Sequence, residues 1–196
     1  MTNIKLVNEE IDYQLDLNVN DNWSEIKLED YFKIINIIQN KEEMEETLFF
    51  IEIISIICNI EKEKLYDIPV NQLTQFTDII VELNPDTIEK TIPDTIIIDN
   101  ITFVPKKNMS NLTTNEMIWI KNKQKESKSS IDVMISVLII LLRPGYQKTD
   151  EAGVTKWIQS AYDNDVFDVR KELFLQKLTA DQAIPLINFF LTGNEG

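Results

Sequence analysis

Ten uncharged residues, Val133 to Leu142, lie between Asp132 and Arg143, and nine of them are apolar. Crossing a bilayer takes roughly 20 such residues. The run is therefore too short to span a membrane and long enough to be a helix covered on most sides. Ser130 and Asp132 are suited to its start, and Arg143-Pro144-Gly145 predicts a hard stop, because proline lacks the N–H and glycine takes the left-handed conformation. Arg143 at the carboxyl end complements the helix dipole and is expected to pair with Asp163 or Glu172.

The rest of the chain is read by periodicity. Alternation over residues 4–17, with Ile11, Tyr13, Leu15 and Leu17 on one face, predicts a hairpin turning near Asn8-Glu9-Glu10. Helical spacing of Leu28, Tyr31, Phe32, Ile35 and Ile38 predicts a first helix, and "EEMEETLFFIEIISIICNI" a second, acidic in its first turns and apolar almost all round from Leu48 onward. A short helix ends at Pro69, and an amphipathic one continues on Leu73, Phe76, Ile80 and Leu83. The β-branched segment 86–105 reads as a hairpin turning at Asp99-Asn100, expected to pair with the N-terminal strands because a lone hairpin is marginal in water. Thr113 and Glu116 have capping-box spacing at the head of another helix. Residues 146–153 read as a polar loop. Two helices are expected over "TKWIQSAYDND" and "VFDVRKELFLQKL", then a last one from Thr179 with Pro185 inside it and a frayed tail.

These elements predict a mainly α protein: helical bundle lobes with a small antiparallel β element, made of the N-terminal hairpin and residues 86–105. The expected organisation is an N-terminal hairpin and acidic helical lobe (1–85), a β-hairpin connector (86–108) and a C-terminal helical lobe (109–196), or all three as one compact domain. Each lobe places an amphipathic helix before an apolar one, "FIEIISII" and "DVMISVLII", which hints at internal repetition.

Charge is the strongest compositional signal. The chain carries a net charge of -14, which argues against nucleic acid as a partner, since phosphate binding needs clustered cations. Lys106, Lys107, Lys121, Lys123, Lys125 and Lys128 form a basic island, either a solvated helix face or a docking patch for an acidic partner. The N-terminus shows no basic and apolar regions of a secretion signal.

Chemistry is hard to find. The chain has no histidine, which removes the commonest general base and metal ligand. All four glycines lie at or after Gly145, so no glycine-rich phosphate loop precedes them. Cys58 lies on an apolar helix without a nearby base and reads as a small core residue. Asp163, Asp165 and Asp168 lack the glycine and glutamate of a calcium loop, and Asp163 or Asp165 reads as a helix cap. No catalytic, cofactor or metal residues are expected. Candidate partner-binding residues are Trp23, Trp119, Lys121, Lys123, Lys125 and Arg143, though Trp23, just before a helix start, reads more readily as a packing staple.

The stretch "ISIICNIEKEKLYDIPVNQLTQFTDIIVEL", with Leu65, Ile68, Pro69, Leu73, Phe76 and Ile80, resembles the tail-assembly chaperones of tailed bacteriophages. The later segments "VLIILLRPGY", "YDNDVFDVRKELF" and "AIPLINFFLTGNE" resemble helical proteins of phages infecting gut Bacteroidota, the crAss-like group included. The resemblance implies a non-enzymatic protein that binds phage tail or other virion proteins in the cytoplasm of the infected host, without cofactor, membrane or nucleic acid. The alternatives are a structural or packaged virion component and, more remotely, an acidic DNA mimic that inhibits a host protein.

Overall fold

The computed structural model of the chain describes residues 2–127, 129–163 and 165–192; Lys128 and the tail residues 193–196 lie outside them. The chain divides into two compact units, Met1–Ile88 and Glu89–Gly196. It is 52% helical and 20% strand, with two antiparallel sheets of two and four strands. The fold is therefore mixed α and β, and the expected mainly α, helical-bundle architecture is overturned.

In the first unit, β1 (Thr2–Asn8) pairs with β2 (Tyr13–Val19). Four residues turn the hairpin, and Asp12 closes it at φ 52, a conformation that aspartate tolerates better than most residues. Ile11 lies in this turn and is 57% exposed, so it does not join the inward face expected of it. Helix α1 (Leu28–Gln39) buries Leu28, Tyr31, Phe32, Ile34 and Ile37. Helix α2 (Glu46–Ile57) buries Phe49, Ile51, Ile53, Ile54 and Ile57, as its apolar circumference demands. The short helices α3 (Val70–Leu73) and α4 (Thr77–Glu82) come after Pro69, with Leu73 and Phe76 fully covered.

The second unit is built on the sheet β3–β4–β5–β6. Strands β3 (Ile96–Ile98) and β4 (Ile101–Pro105) turn at Asp99 and Asn100, which take φ values of 47 and 65. That is the positive-φ pair that Asp-Asn allows. This hairpin joins β5 and not, as expected, the N-terminal strands. Helix α5 (Thr114–Glu126) is mostly polar, and α6 (Ser130–Leu141) buries every residue from Ile135 to Leu141. Ser136 is tolerated there because its hydroxyl donates to the Asp132 carbonyl at 2.7 Å.

After α6 the expected loop and helix are instead strands β5 (Leu142–Thr149) and β6 (Thr155–Gln159). The helix ends at Leu141, where predicted, but Pro144 and Gly145 continue as strand. Gly145 is needed for close approach and not for a left-handed turn: a Cβ there would run into Val104 Cγ2 and lie 3.1 Å from the Ile158 carbonyl. Pairing with β4 stops at Pro144, which has no N–H to extend the ladder. The hairpin is closed by Asp150, whose carboxylate accepts from the amides of Ala152 (3.0 Å) and Val154 (2.9 Å), with Gly153 at φ 80. Helices α7 (Phe167–Lys177) and α8 (Ala180–Thr192) complete the unit, Pro185 lying inside α8. Phe103 of β4 and Phe174 of α7, both buried, meet edge to face at 5.4 Å. No helix among the described residues is long and apolar enough to cross a membrane.

The two units differ sharply in charge. Residues 1–88 hold 19 acids and 6 bases, a net of -13; residues 89–196 hold 14 acids and 13 bases, a net of -1.

Candidate functional site

The sheet of the second unit sets the end of β4, the start of β5 and the end of β6 side by side, with the first turn of α5 against them. Glu116 is the centre of this place. It is only 2% exposed, yet its surroundings favour the charged form. Its Oε1 lies 2.6 Å from Arg143 Nη2 and its Oε2 2.6 Å from Lys106 Nζ. The same Oε2 accepts from the Thr113 amide at 2.6 Å, while the Glu116 amide donates to Thr113 Oγ1 at 3.3 Å, completing the capping box. Burial on its own would raise the Glu116 carboxyl. The Lys106 ammonium, the Thr113 amide and the Arg143 guanidinium outweigh it and hold the group below the ordinary carboxylate range.

Gln159 ties the network to the sheet. Its Oε1 accepts from Arg143 Nη2 at 2.7 Å, and its Nε2 donates to the carbonyls of Val104 and Leu141. One carboxylate and one amide thus join β4, β5, β6 and α5. Beside them opens a cavity of about 480 Å³, walled by Trp119 and Tyr162, whose rings lie 5.7 Å apart. Behind this wall Ile120, Val137, Ile140 and Leu141 form a buried cluster. Among the described residues of this unit, three polar atoms are buried without a hydrogen-bond partner: Arg143 Nε, the Tyr162 hydroxyl and Arg170 Nη1. Burial raises the Tyr162 phenol and lowers the Arg170 guanidinium.

The candidates named from sequence are distributed unevenly. Trp119 and Arg143 line this cavity, and Lys123 sits over the Trp119 ring at 5.6 Å and the Phe167 ring at 4.7 Å. Lys123 also pairs with Glu126 at 3.1 Å, so its charge is engaged within the unit. Lys121 and Lys125 are exposed. Trp23 belongs to the other unit and is buried, packed edge-on to Tyr31 at 5.2 Å with its indole N–H donating to the Asn84 carbonyl at 3.2 Å. It is a core residue, in line with the packing-staple reading, and not the exposed anchor also named for it. Arg143 pairs with Glu116, and neither Asp163 nor Glu172 is its partner.

The expected caps at Asp163 and Asp165 are also corrected. Asp163 accepts from the Asp165 amide at 3.0 Å in a turn, and the residue at the cap of α7 is Val166. Among the described residues no three His, Cys, Asp or Glu side chains gather as a metal site. Cys58 is buried, and burial pushes its thiol up to about 12, far from the thiolate that a nucleophile needs. Sequence reasoning missed Lys106, Glu116, Gln159 and Tyr162 as one cluster. The capping-box spacing marked Glu116, but nothing local marks a partner that the sheet delivers from far along the chain.

The oxygens of Glu116 are fully engaged, so the network works as a brace more than as a reactive group. The chain matches no protein family model, no curated protein and no solved structure.

Proposed function

We propose that this chain is a non-enzymatic bacteriophage protein that binds other virion proteins during assembly, in the manner of a tail-assembly chaperone. The observation that supports this reading is the surface of the first unit. A net charge of -13 on 88 residues is combined there with five largely exposed apolar side chains, Ile11, Leu48, Tyr66, Val70 and Val81. Acid keeps such a surface soluble by self-repulsion, and exposed apolar side chains give a partner something to bury. Attraction between carboxylates and a cationic client is screened by salt, so the contact is reversible, as a protein that hands its client on requires. In the second unit, by contrast, the cations Lys106, Arg143 and Lys123 are engaged internally.

In this reading the protein acts in the cytoplasm of the infected host, without cofactor. Quantitative mass spectrometry of infected cells and purified virions tests it. The expected result is abundance in cells, co-elution of one virion protein with the tagged chain, and absence from virions. A fixed stoichiometric copy number in purified virions would instead make it a structural or packaged component.

A further inference from the structure

The first unit contains a groove of about 630 Å³ between the β1–β2 turn and the segment leading into α3. Its walls are preset. The Gln72 side chain grips the backbone of β1 as a neighbouring strand would: its Oε1 accepts from the Val7 amide at 2.7 Å and its Nε2 donates to the Val7 carbonyl. Asn8 Nδ2 donates to the Asp67 carbonyl at 2.6 Å, and the Tyr13 hydroxyl to the Lys64 carbonyl at 3.1 Å. Four hydrogen bonds therefore join the two walls, and the groove needs no rearrangement to exist.

Its lining is apolar and anionic together. Ile11 (57% exposed) and Tyr66 (55%) stand at it with Pro69, and Val70 (57%) comes next in the chain. Glu9, Glu10 and Asp67 also line it, while no lysine or arginine does. Among the described residues none of these three carboxylates is paired with a cation; Lys64, whose carbonyl supports one wall, sends its ammonium to Glu61 at 3.9 Å. The turn is thus a place where apolar side chains and unneutralised carboxylates face solvent side by side.

Resting on the proposed binding role, we infer that this groove receives a cationic amphipathic helix of the partner protein. Its apolar stripe would cover Ile11 and Tyr66 while flanking lysines or arginines meet Glu9, Glu10 and Asp67. Preset walls lower the ordering cost of binding, and an amphipathic helix is the common occupant of an apolar groove with charged margins.

A fluorescent peptide of leucine and lysine with helical spacing is the probe, titrated into the full chain by anisotropy. A matched peptide with glutamate in place of lysine is the control. Two groove variants, Ile11→Ser with Tyr66→Ser and Glu9→Lys with Glu10→Lys, replace exposed residues only, and circular dichroism checks that both fold. Glu42→Lys with Glu43→Lys makes the same charge change on an exposed turn outside the groove. Each groove variant should weaken the lysine peptide about tenfold or more. The outside variant should weaken it far less, and the glutamate peptide should not bind. Equal weakening by groove and outside variants, or no binding of the lysine peptide to the unaltered chain, overturns the inference. The two claims fail separately. If the groove variants still co-elute the same virion protein from infected cells, the groove is wrong and the binding role stands. If the unaltered chain co-elutes none, the binding role fails, whatever the peptide does.

Discussion

The two units solve the problem of charge in opposite ways. The first holds 19 acids against 6 bases and leaves much of that charge on its surface. Its ion pairs, such as Lys33 with Glu29 and Asp30, are solvent-exposed and contribute little stability. What holds this unit together is apolar: Leu6, Ile34, Ile53, Ile54, Ile57 and Phe76 are wholly buried. The second unit is almost neutral and takes an ion network inside, at Lys106, Glu116 and Arg143. A buried network is costly to break but fixes geometry, and here it fixes how α5 sits on three strands. One unit leaves its charge on the surface, and the other uses charge on itself.

The largest effect should come from removing half of a buried pair. Arg143→Met leaves Glu116 paired with Lys106 alone and should destabilise the second unit by about 3 kcal/mol, the low end for breaking a buried ion pair, because Lys106 still holds the carboxylate. Hydrogen exchange would show the loss at α5 and β5 and leave the first unit's α2 unchanged. Gly145→Ala should cost about 1–3 kcal/mol through overpacking against Val104, read as a lower urea midpoint with weakened β4–β5 protection.

Acid acts on the second unit through Glu116. The Glu116 carboxyl is held below the ordinary glutamate value of about 4.3. Its contribution is fully present above that value and is lost as pH falls through the lower folded one. Exchange protection tracked against pH should hold in α5 near neutrality and fall there as pH drops below about 4.3. A smaller effect, about 1 kcal/mol, is expected for Gln72→Ala, which strips the Val7 backbone of its partner; proton–deuterium exchange at Val7 reads it directly. Added salt should matter least, stabilising the first unit by less than about 1 kcal/mol and the second scarcely at all.

The legible parts of this fold were those written locally. Alternation gave β1 and β2, the positive-φ pair Asp99-Asn100 gave the β3–β4 hairpin, and Thr113 with Glu116 gave the head of α5. The sheet of the second unit was not legible, and with it the mixed fold class was missed. Arg143-Pro144-Gly145 carries the marks of a helix stop, but the conformation taken up beyond that stop depends on β4, a strand some forty residues earlier in the chain. Trp157 and Ala161 have the spacing of a helical face, yet Trp157 lies on β6 opposite Gln147. The turn chemistry of Asp150 and Gly153 was the available signal for that hairpin. The ion network shows the same limit. Its capping half spans three residues and could be read, whereas Arg143 is brought to Glu116 by the pairing of β4 with β5. Burial divided in a similar way: Leu28, Tyr31 and Phe32 of the stripe expected for α1 are covered, but the helix buries Ile34 and Ile37 in place of Ile35 and Ile38.

The most direct test of the proposed division between a partner-facing unit and a self-braced one is hydrogen-exchange mass spectrometry of the chain, free and in complex with the virion protein that the proposed role predicts will co-elute with it. New protection is expected in the first unit, centred on residues 7–11 and 66–72, with little change at α5, β5 and β6. Protection confined to the second unit, with residues 7–11 and 66–72 exchanging as in the free chain, would contradict that division.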